Sequence, residues 1–151
     1  METPTESAPT APTSETVAAV GASGATDRHT PHDLSCILSY SVGILTFACE
    51  DLLGEQHVAQ HEWLSVEAVR LCLKRLAADL ENRRPSVSAY EDCFQSCDLY
   101  SDALSCLCER IDRLHVESRV HPANRASLWI SLEIVTDVKR RARTEYDRHT
   151  A

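Results

Sequence analysis

From residue 33 onward, apolar positions recur along this chain with a helical period. Leu34, Ile37, Leu38, Ser41, Ile44, Leu45, Ala48 and Leu52 follow one another at helical spacing, which puts them on one side of a helix. Asp33 is placed to cap that helix and Gly54 to stop it. Tyr40, Val42 and Phe47 thicken the opposite side, so the helix is expected to sit centrally or to cover a partner's surface.

The same rhythm returns in later segments. A second helix is expected from about Val58 to Glu81, with a break near Ser65 and a stripe of Val69, Leu73, Leu76 and Leu80 supported by Trp63 and Cys72. Pro85 disfavours helical geometry at Arg84 and ends it. A third helix starts after Ser86 or Ser88 and presents Tyr90, Cys93, Phe94 and Cys97. It is expected to end between Leu99 and Asp102, where Ser101 would cap a fourth helix carrying Leu104, Leu107, Cys108, Ile111 and Leu114. After His121 and Pro122, the last helix would be capped by Asn124 and run to about Asp147, burying Leu128, Leu132, Val135, Val138 and Ala142, with Trp129 and Ile130 widening that face.

No Asn-Gly or Asp-Gly hairpin signal occurs, so no strand is needed. The fold class is all-α: a compact bundle of five to seven helices forming a single domain over residues 31–151. Residues 1–30 are Ala, Thr, Ser and Pro with few large apolar groups. They cannot offset their conformational entropy by burial and read as a disordered tail.

Composition narrows the function. The formal net charge is -8, which opposes broad nucleic-acid binding because that rests on Lys and Arg neutralising phosphates. The one basic cluster, Lys139 to Arg148, complements the end of the last helix and reads as a solvated terminus, with an anionic contact as the alternative. The longest uncharged stretch, Leu34 to Cys49, is short and interrupted by serines, so no membrane span is expected. Seven cysteines without a secretory leader point to a reducing compartment and a cytoplasmic protein.

Four of those cysteines fall between Cys93 and Cys108. Cys93 and Cys97 share a helix face, whereas Cys106 and Cys108 point apart, so Cys97 and Cys108 are expected to fill the core, with Cys106 nearer the surface, and not to hold zinc; a small zinc-binding protein is the lesser alternative. His57 and His61 are spaced as in a metalloprotease helix, but Val58 stands where the general base would be. No nucleophile elbow or phosphate-cradling loop occurs, so the chain reads as non-enzymatic and without a cofactor. A partner surface remains, for which Trp63, Arg70, Lys74 and Trp129 are candidates on residue type and helical position.

The succession LSCILSYSVGILTFACEDLL, EAVRLCLKRLAADLEN, YEDCFQSC, DALSCLCERIDRL and HPANRASLWISLEIVTDV resembles the poxvirus Bcl-2-like immune modulators over about Asp33 to Tyr146. The resemblance implies a Bcl-2-like bundle in the host cytoplasm that binds a host signalling adaptor, suppressing NF-κB or interferon signalling, or a pro-apoptotic protein. The absence of an Asn-Trp-Gly-Arg signature directs the expectation toward the adaptor. A homodimer, or a helical subunit of a larger assembly, is compatible with the same pattern.

Overall fold

The computed structural model describes residues 28–54, 60–116 and 122–151. These form four helices: α1 (Pro31–Gly54), α2 (Gln60–Glu81), α3 (Val87–Val116) and α4 (Pro122–Thr150). Among the described residues there is no strand.

Each helix start has a local cause. Thr30 is the N-cap of α1: its hydroxyl accepts from Asp33 N at 3.1 Å while the Asp33 carboxylate accepts from Thr30 N at 2.8 Å. That reciprocal pair satisfies two otherwise orphan donors, and Pro31 supplies a first residue that needs none. Asp33 therefore sits inside the first turn and is not the cap expected from sequence. Ser86 caps α3 by accepting from Ala89 N at 3.1 Å. Pro122 opens α4, so Asn124 lies in its first turn, buried, instead of preceding it.

The expected break between Leu99 and Asp102 is absent, and the third and fourth predicted segments form one 30-residue helix. The Ser101 hydroxyl donates to the Asp98 carbonyl at 3.0 Å, back onto its own helix, so it serves no following one. No Gly or Pro stands there to stop the chain. The helix α2 likewise passes through Ser65 without interruption.

Neighbours in sequence are neighbours in space: α1 packs on α2, α2 on α3, α3 on α4, and α4 closes the ring on α1. Directions follow from side-chain contacts. Ser35, early in α1, donates to Ala77 O, late in α2, at 2.6 Å. Phe94, early in α3, meets Tyr146, late in α4, edge to face at 5.1 Å. Lys139 reaches Asp98 at 2.5 Å. The described residues form an up-down-up-down four-helix bundle, as short connections between antiparallel helices favour.

Its core interleaves Leu34, Leu38 and Leu45 with Leu73, Leu80, Leu104, Ile111, Leu128 and Val135. Cys93, Cys97 and Cys108 are buried among them, while Cys106 is exposed. The divergence of the Cys106 and Cys108 side chains is the one their spacing predicts.

Candidate functional site

The outer face of α1 is set by what the inner face buries. Leu34, Leu38, Ser41, Leu45 and Ala48 turn inward. Helical geometry then directs Cys36, Ser39, Tyr40, Gly43 and Phe47 outward. With Ile44 they line an open groove of about 550 Å³. Tyr40 and Phe47 are each 72% exposed. A side chain added at Gly43 would meet nothing within 4 Å, so the groove floor is backbone. No charged residue occurs between Leu34 and Cys49. By length and composition Pro31–Glu50 is apolar enough to cross a membrane. In the bundle the inner half of that segment is core and the outer half is the groove.

A polar clasp fixes the start of α1. Glu145 of α4 is only 1% exposed. Its carboxylate accepts from His29 N at 2.8 Å, from Arg28 at 3.1 Å and from Arg148 at 2.9 Å. The Tyr90 hydroxyl donates to the His29 carbonyl at 2.7 Å, and burial together with the Glu145 charge pushes that phenol up to about 12. The Arg141 guanidinium lies 2.8 Å from His29 Nε2. Because a guanidinium only donates, Nε2 takes the acceptor's side of that contact. Arg28, His29 and Thr30 therefore belong to the bundle, although composition groups them with the tail; residues 1–27 lie outside the described residues.

The three sequence candidates whose side chains are described do not converge. Arg70 of α2 is half-buried and its Nε donates to Glu67 of the same helix at 2.8 Å. Beside that pair, burial and then the Glu67 charge push the Cys49 thiol up to about 12, which makes it an inert core thiol. Lys74 is exposed on α2. Trp129 of α4 is 39% exposed and its indole donates to Asp112 of α3 at 3.2 Å, on the opposite side of the ring. The Trp63 side chain, His57, His61 and His115 lie outside the described side chains.

A second groove, about 450 Å³, runs beside Trp129 but is lined by Glu133, Asp137 and Arg140. The basic end of α4 is internally matched: Lys139 with Asp98, Arg140 and Arg141 with Asp137, Arg143 with Asp147, and Arg148 with Glu145. Among the described residues no group of three or more His, Cys, Asp or Glu is placed to hold a metal ion. Tyr40 and Phe47 were not among the sequence candidates, because they read as extra bulk on a helix that either sits centrally or covers a partner's surface. Their lack of any charged neighbour was the available signal.

No family model, curated protein or solved structure matches the chain.

Proposed function

We propose that this chain is a non-enzymatic protein–protein interaction domain whose binding surface is the outer face of α1. The observation that carries the reading is the pair Tyr40 and Phe47, each 72% exposed on either side of an uncharged groove. Exposed aromatic anchors flanking an uncharged groove are the arrangement that concentrates binding energy. Each groove is lined by residues of a single helix and offers no turn to bind an oxyanion, although the Cys36 thiol of the α1 groove lies 3.6 Å from His32 Nε2.

The test is affinity purification of the full chain beside the variant Tyr40→Asp/Phe47→Asp. The proposal expects the wild type to retain a protein that the variant loses while melting at the same temperature. Identical retained sets would end this reading.

The resemblance to poxvirus Bcl-2-like modulators carries a finer version: a cytoplasmic inhibitor that holds a host signalling adaptor or a pro-apoptotic protein. What supports it is the order of the segments and the all-helical bundle, of which the described residues supply four helices. A reporter assay in which the chain leaves NF-κB signalling untouched, with no signalling protein co-purifying, would remove it. The same exposed face also suits a subunit of a larger helical assembly.

A further inference from the structure

We infer that the occupant of the α1 face is a second copy of this chain, packed through its own α1 in an antiparallel, two-fold arrangement centred on Gly43. This inference rests on the reading of the α1 face as a binding surface. An interface between identical copies must be complementary to itself. The α1 face meets that condition, because hollow and projection lie on one stripe. Gly43 and Ser39 form the hollow, and Phe47 stands one turn beyond Gly43. With the axis at Gly43, Phe47 of each copy falls opposite Ser39 of the other, over the groove floor.

Charge points the same way. A molecule of net charge -8 repels its own copy unless the surfaces that meet are neutral, and the outer face of α1 carries no charge between Leu34 and Cys49. The same neutrality offers nothing to an acidic or basic partner, and α1 has no Lys or Arg to draw it to an anionic bilayer. Residues 1–27 carry only Met1, Val17 and Val20 as larger apolar groups, which makes that segment a poor filler of the groove.

The area is of the right order. At ~150–250 Å² per aromatic side chain, Tyr40 and Phe47 in their exposed state supply roughly 300 Å² per copy. Two copies thus reach about half of the ~1,200 Å² at which stable interfaces begin. Cys36, Ser39 and Ile44 add to this.

Gly43 supplies an independent argument. Glycine inside a helix costs ~1 kcal/mol relative to alanine. Nothing in the chain approaches closely enough to require its missing side chain. A close approach by another helix does require it.

Sedimentation equilibrium on the full chain tests the inference, with Phe47→Asp, Gly43→Glu and, as a control on an exposed leucine of α3, Leu99→Asp. The wild type and Leu99→Asp are expected at twice the monomer mass of 16.8 kDa. Phe47→Asp and Gly43→Glu are each expected to weaken the dimer by at least about 30-fold, as loss of a hot spot does. Circular dichroism should show both variants fully helical, because both positions face solvent. Alkylation of Cys36 should be slower in the wild type than in Phe47→Asp, with exposed Cys72 and Cys106 as internal references. A wild-type chain that stays monomeric into the millimolar range overturns the inference, as does a dimer indifferent to both substitutions. If the monomeric chain still retains a different protein that Tyr40→Asp/Phe47→Asp loses, the second copy is excluded and the interaction reading stands.

Discussion

At the entry to α1, Arg28 and His29 are tied to Tyr90 of α3 and Glu145 of α4. A few turns along the same helix, Tyr40 and Phe47 stand 72% exposed above a floor of bare backbone. The clasp spends its polar groups inside the molecule: a carboxylate that is 1% exposed accepts from three donors, and a tyrosine hydroxyl closes the loop behind it. The outer face has neither charge nor packing of its own. Stability of the fold and availability for binding are thus divided between the residues that lead into α1 and the outer face of α1 itself. A substitution in the clasp should act on stability and leave binding alone.

The largest effect is expected from Glu145→Ala. Removing the acceptor takes the carboxylate from the buried His29 N–H and breaks the ion pairs with Arg28 and Arg148. Breaking such a buried network costs about 3 kcal/mol, readable as a lowered midpoint in urea with helical content retained. Binding through α1 should survive at temperatures where the variant is folded. If Glu145→Ala leaves the midpoint unchanged, the clasp is decoration and the division fails.

Gly43→Ala is expected to move stability the other way, raising it by up to ~1 kcal/mol, because alanine is the better helix former and the new methyl meets open space. The same variant should weaken self-association. A loss of stability would show that the glycine serves the fold.

The smallest effect concerns acid. Burial alone would raise the Asp137 carboxyl, but hydrogen bonds from Arg141 and Arg140 outweigh it and hold the group below its ordinary value. A carboxyl lowered in the folded state stabilises above its unfolded value, near about 4, and that contribution is lost as pH falls through the folded value. Asp137→Asn should therefore cost less than about 1 kcal/mol at neutral pH, the pair being partly exposed. Its deficit should shrink to nothing in strong acid. Arg141 also contacts His29, so a deficit that persisted in acid would mean Asp137 acts on the clasp by another route than its charge.

Much of the fold was legible in the sequence because helical period reports burial directly. Leu34, Leu38, Leu45, Leu73, Leu80, Leu128 and Val135 are core as their spacing requires, and Cys106 and Cys108 part as theirs does. Ser101 was not legible, since one hydroxyl can cap a new helix or bond back to the old one, and only the continuing chain decides. Glu145 was hidden by its company: among Arg143 and Arg148 it reads as a counter-charge. Yet it continues the buried series Val135, Val138, Ala142 at helical spacing. An acid on an apolar stripe was the signal for the clasp. The α1 face was visible as apolar excess, but no pattern along one chain distinguishes a helix at the centre of a bundle from one at its rim.

The clasp also bears on the order of folding. It joins His29 to Glu145 across 116 positions of sequence, whereas α1 with α2 and α3 with α4 form as hairpins between successive helices. A contact that waits for nearly the whole chain to close carries the largest loop entropy and is expected to form after the rate-limiting barrier. Glu145→Ala should then leave the refolding arm of a chevron almost where it was and lift the unfolding arm by nearly the full loss of stability. In that sense the clasp acts as a brake on opening: it governs how long the assembled bundle lasts and has little say in how quickly the bundle is made.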